Sequence, residues 1–126
     1  MEALDFTDIS KWEVLKHEDP PMASKMRGGM WVFLDSHAKA GRHWARLAEA
    51  HASRSLNYGL MKTRASEQFT MIAVCMHSDN PVEDRREEVV RLLGRLRACG
   101  VEDTVFFRSA SSSKNIYYAP RQKNVV

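Results

Sequence analysis

Three cations in this chain stand where a phosphate can be held. Arg64 and Arg108 close two apolar, strand-like stretches, and Lys114 follows the Ser-rich stretch Ser109–Ser113. Strand ends and hydroxyl-rich loops present N–H and O–H donors, and a guanidinium or ammonium beside them supplies the charge. Trp12 leads a short strand next to an acidic leader, where a solvent-facing indole can stack a base. Trp31 and Trp44 fall on apolar faces and are assigned to the core. Arg85, Arg86, Arg91, Arg95 and Arg97 lie along one predicted helix. The pattern reads as a solvated face, with Glu87 and Arg91 paired at i, i+4.

Other chemistry finds less support. Cys75-Met76-His77 places a thiol and an imidazole on one strand face, yet no Cys-x-x-Cys or paired His spacing completes a zinc set. Cys75 reads as a buried strand residue and Cys99 as a helix-end one. Arg27-Gly28-Gly29 lacks the spacing and the Lys-Ser/Thr of a phosphate-cradling loop, so its glycines serve a sharp turn into the next strand. Neither a metal nor a cofactor is expected.

The elements that must position these residues follow from period and punctuation. Trp12–Lys16 alternates and predicts a short strand, ended by Asp19-Pro20-Pro21. Met30–Leu34 is apolar on both faces, as a central strand requires. Asp35 or Ser36 caps a helix over residues 37–53 whose inner stripe is Ala40, Trp44, Leu47, Ala48 and His51. Tyr58–Thr63 and Phe69–Met76 predict two strands joined by the polar turn Ala65-Ser66-Glu67-Gln68. Asn80-Pro81-Val82-Glu83 opens a second helix that buries Val89, Leu92, Leu93 and Leu96 and stops at Gly100. Thr104–Arg108 is the last clear strand, with Ile116-Tyr117-Tyr118 after the Ser-rich loop. The helices do not alternate regularly with the strands, which disfavours a doubly wound sheet. The expected class is α+β, with residues 1–11 an acidic leader, 12–119 one domain and 120–126 a basic tail.

The 126 residues are 44% apolar and 28% charged, enough for one core without a disulfide or metal staple. The net charge is +3, although residues 1–22 hold six acids and only two bases. A basic body behind an acidic leader suits a polyanionic partner. Met71–Met76 is the longest apolar run, far short of a membrane span. The acidic start is unlike a signal or transit peptide, and two cysteines make no disulfide framework. A cytoplasmic protein without a membrane partner is expected.

Several of these stretches, taken in order, resemble the translation initiation factor 4E family, the mRNA cap-binding proteins. Trp12-Glu13-Val14-Leu15-Lys16, followed by Pro21-Met22, is similar to that family's aromatic-led strand and Pro-Met. Arg27-Gly28-Gly29-Met30-Trp31 resembles its Arg-Gly-Gly-x-Trp strand opening, and Trp44 its buried helical Trp. Ser111-Ser112-Ser113-Lys114-Asn115 resembles its C-terminal Ser-Thr-Thr-Lys-Asn. The resemblance implies a curved antiparallel sheet with two helices on one face. It also implies binding of RNA or a cap phosphate, with Arg64 at the triphosphate-binding Arg. The implied member is divergent: Ala23 and Ser24 follow Pro21-Met22, where the family has a stacking Trp and reads guanine with a Glu. A third family Trp is missing near Ala73–Val74, and Ala45-Arg46 replace Leu-Glu after the helical Trp. The chain is expected to lack the family's N-terminal third, which carries the other stacking Trp.

A second resemblance, to small phosphothreonine lyases, rests on a Gly-x-Trp strand, a helical Trp and a strand Lys. It implies Lys62 as the base that removes a proton alpha to a carbonyl, tuned by Arg64 on the same strand face. His37 and His77 are its candidate acids. The leading expectation is a non-enzymatic protein that binds RNA or a nucleotide phosphate through Arg64, Arg108 and Lys114, with Trp12 as the stacking platform. The alternatives are a protein–protein module, meeting a partner or a second copy at an uncovered sheet edge, and the Lys62 enzyme.

Overall fold

The computed structural model describes residues 13–15, 28–52, 59–76, 86–108 and 115–121. Trp12, Ala23, Ser24, His77, Arg85 and Lys114 lie outside them. Among the described residues there are six strands and two helices: β1 (Glu13–Leu15), β2 (Met30–Ser36), α1 (His37–Ala52), β3 (Gly59–Arg64), β4 (Phe69–Cys75), α2 (Arg86–Ala98), β5 (Val105–Arg108) and β6 (Asn115–Ala119). The strands form one antiparallel sheet in the order β1-β3-β4-β2-β5-β6. The class is α+β, as expected. β6 exceeds expectation, because Ile116-Tyr117-Tyr118 becomes a full edge strand once β5 offers it a ladder.

β2 is the central strand that its two apolar faces predicted, bonded to β4 on one side and β5 on the other. Trp31 and Phe33 point to one face, where they join Leu60, Ile72, Val74, Val105 and Phe107. Both helices pack there, through Ala40, Trp44 and Leu47 of α1 and Val89, Leu92 and Leu96 of α2. Met30 and Val32 point the other way and bury with Met61, Ala73 and Cys75. No helix among the described residues covers that second face. None of the described helices is long and apolar enough to cross a membrane.

Local chemistry sets the helix ends. Ser36 is the cap of α1, its Oγ accepting the Lys39 N–H at 3.4 Å, while Asp35 Oδ1 accepts the Ser36 N–H. The buried stripe of α1 is Ala40, His43, Trp44, Leu47 and His51, so His43 stands where Ala48 was expected. α2 ends in a left-handed turn at Gly100, φ +90°, with Gly100 N–H donating to Arg97 O and Val101 N–H to Leu96 O. Val101 and Leu96, both fully buried, supply the apolar contact that accompanies such an end.

Gly29 and Gly94 call for opposite outcomes from one substitution. Gly29 sits at φ +97°, and a Cβ there would stand 2.6 Å from the Phe107 ring and 2.9 Å from Arg108 O. Gly94 lies inside α2 with nothing within 4 Å of its missing Cβ. Gly29→Ala is expected to cost about 2 kcal/mol or more. Gly94→Ala is expected to gain about 0.5–1 kcal/mol. Urea unfolding of both variants measures the two signs directly.

Candidate nucleic-acid interface

Arg64 and Arg108 do not meet. Arg64 ends β3 on the helix-covered face, opposite Thr70 of β4. Arg108 ends β5 on the other face, paired with Met30, whose other partner is Cys75. They therefore occupy opposite ends and opposite faces of the sheet, and one phosphate cannot touch both. The expectation of a single shared site fails on strand direction, which residue type and spacing do not reveal.

Around Arg64 the chain forms a cleft of about 290 Å³ between α1 and the β3 end, lined by Glu13, His37, Gly41, Lys62, Arg64 and Thr70. Lys62 and Arg64 do share a strand face, and His37 joins them. Their polar groups, however, are largely engaged with one another. Lys62 Nζ lies 3.3 Å from Glu13 Oε2 and 4.7 Å from the centre of the Trp44 ring. Lys62 thus stands between a carboxylate and a π face, two neighbours that suit a cation. His37 Nδ1 is bonded to Thr70 Oγ1 and Nε2 to Glu67 O, each at 2.7 Å, which ties α1 to the β3–β4 turn. Arg64 Nε donates to Ser66 O. The cleft reads as a braced corner of the fold.

Other predicted residues also turn structural. Trp31 and Trp44 are core, as expected, and Trp31 Nε1–H donates to Val89 O at 3.0 Å. Glu87 and Arg91 pair at 3.8 Å on the exposed face of α2. Arg97 leaves that face: its guanidinium donates to Val101 O, Asp103 O and Pro120 O, binding the α2 exit to the end of β6. Cys75 is fully buried, its Sγ against Met61 Sδ, and burial pushes its thiol far up, which removes it as a nucleophile.

The sheet face turned away from the helices offers a different surface. Phe106 and Tyr118 are direct cross-strand partners on β5 and β6, with ring centres 5.4 Å apart. They are 36% and 61% exposed. Beside them runs a groove of about 270 Å³ lined by Val32, Leu34, Met71, Thr104, Phe106 and Arg108. Leu34 is exposed as well. Two open aromatic rings on neighbouring strands thus lie beside a groove with apolar side chains and an arginine in its lining. Sequence reading passed over Phe106 and Tyr118. The alternation of Phe106 against buried Phe107 was the available signal.

No family model, curated protein or solved structure matches this chain.

The bracing role assigned to His37 has a direct consequence. His37→Ala, which cuts two bonds between α1 and the β3–β4 turn, is expected to lower stability by about 1 kcal/mol. Arg64→Ala, which loses one exposed bond, should cost less than half as much. Denaturant midpoints of the two variants make the comparison.

Proposed function

We propose that this chain binds single-stranded RNA without enzymatic activity, through the sheet face that bears Phe106, Tyr118 and Arg108. The observation that carries this reading is the pair of exposed aromatic rings fixed side by side by the β5–β6 register. A cross-strand aromatic pair also steadies an edge strand. Steadying alone does not call for an apolar groove and an arginine beside it. The net charge of +3 and a pI near 9.0 favour a polyanion in general terms.

The resemblance to the initiation factor 4E family supports the same class of ligand. In that reading the cap pocket itself is lost at Ala23 and Ser24, and the chain keeps contact with RNA through stacking on its own sheet. Arg108 supplies charge to the backbone or a base edge. Arg64, on the far face, takes no part.

Fluorescence anisotropy with a labelled uridine decamer, a methylated cap nucleotide and GTP tests this at two salt concentrations. The decamer should bind with a salt-dependent affinity, and Phe106→Ala with Tyr118→Ala together should weaken it by more than about tenfold, since each stacked base contributes about 1–3 kcal/mol. Arg64→Glu should change affinity less than twofold. The opposite result, a loss in Arg64→Glu with no change in the aromatic variant, would place binding in the cleft and overturn the assignment. Absence of RNA binding would turn attention to the same exposed face as a protein-docking surface.

A further inference from the structure

A charged group wedged between α1 and the sheet plays no part in the RNA face. Asp35 comes from the end of β2, His43 from the second turn of α1, and Asp103 from the turn before β5. His43 Nε2 stands 3.4 Å from Asp35 Oδ2 and 3.4 Å from Asp103 Oδ1, and the three atoms all lie within 4.8 Å of one another. His43 is only 6% exposed, and neither of its ring nitrogens makes a hydrogen bond. The two facing carboxylate oxygens are shut off from water and also lack one. A buried imidazole aimed between two carboxylates, with no hydrogen bond made by any of the three atoms, is an incomplete constellation.

We propose that Asp35, His43 and Asp103 form a binding site for a divalent transition-metal ion of the zinc class. Donors bound tetrahedrally at about 2.1 Å stand about 3.4 Å apart, which is the spacing of His43 Nε2 from each carboxylate oxygen. One imidazole nitrogen with two carboxylate oxygens suits zinc, cobalt or manganese, whereas magnesium prefers oxygen ligands and keeps its water. Three protein donors leave a fourth position for water or a ligand atom. Each donor is carried by a different part of the fold, and His43 is further held by its edge-on contact with the Phe33 ring.

The charges around the cluster agree with a cation site, since two carboxylates converge there beside one ammonium. Lys39 Nζ, 3.8 Å from Asp35 Oδ2 and 3.9 Å from Asp103 Oδ1, supplies the positive charge meanwhile. Its side chain is about one-third exposed, so its ammonium borders solvent.

The test uses the untagged 126-residue chain, stripped with a chelator. It is titrated with Co²⁺, followed by its visible absorption, and with Zn²⁺, followed by calorimetry. One equivalent of each ion should bind, and Co²⁺ should show the intense band of a four-coordinate nitrogen–oxygen site. Asp103→Asn should weaken Zn²⁺ by more than about tenfold. Lys39→Gln, which removes the competing ammonium, should tighten it. His43→Ala deletes a core side chain, so the shape-conserving Asp103→Asn and the surface Lys39→Gln carry the decision, with circular dichroism confirming their fold. Failure of the folded wild-type chain to bind either ion at millimolar concentration would overturn the site. Equal affinity in wild type and Asp103→Asn, or weaker binding in Lys39→Gln, would overturn it equally.

Discussion

An indole N–H taken out of water must find an acceptor, and for Trp31 the acceptor is Val89 O on α2, at 3.0 Å. That bond joins the central strand to a helix that lies 58 residues further along the chain. It can form only if α2 crosses the sheet with its first turns over β2, which brings Val89, Leu92 and Leu96 onto the same face as α1. Phe107 of β5 meets the Trp31 ring edge-on, with centres 5.3 Å apart, and Tyr117 of β6 packs on Phe107 in turn. The packing on the covered face therefore runs outward from one residue, across β2, β5 and β6.

The covered face dictates what the opposite face can be. Strand side chains alternate, so placing Trp31, Phe33, Val105 and Phe107 under the helices turns Val32, Leu34, Phe106 and Tyr118 away from them. The exposed aromatic pair is thus a by-product of the register that completes the core. Its availability for stacking depends on the absence of a described helix over it, and on the pairing of β6 with β5.

Several of the described cations serve the architecture. Arg97 gathers three carbonyl oxygens from separate segments, Lys62 is clamped between Glu13 and Trp44, and Lys39 offsets two acids at the foot of α1. A net positive charge spread in this way attracts a polyanion only weakly and without direction. Among the described residues, the face that no helix covers carries Arg108 beside the open Phe106 and Tyr118 rings, whereas Lys62, Arg64 and His37 line the cleft on the other face.

Much of the local structure is legible in the sequence because it depends on neighbours within a turn or two. The cap at Ser36, the helix end at Gly100, the two-faced apolar character of β2 and the polar β3–β4 turn all follow from short-range sterics, hydrogen bonding and hydrophobic period. The α+β class follows from the order of those elements. The side-chain constellations follow from something else. Arg64 and Arg108 look alike as strand ends and fall on opposite faces, while Asp103, distant in the chain, converges on Asp35 and His43. His43, absent from the predicted stripe, is turned inward by the seating of α1 on the sheet. Periodicity determines which face of an element is apolar. Strand order, direction and register determine which distant side chains that face will meet, and those are settled by long-range pairing and core packing rather than by any residue's immediate neighbours.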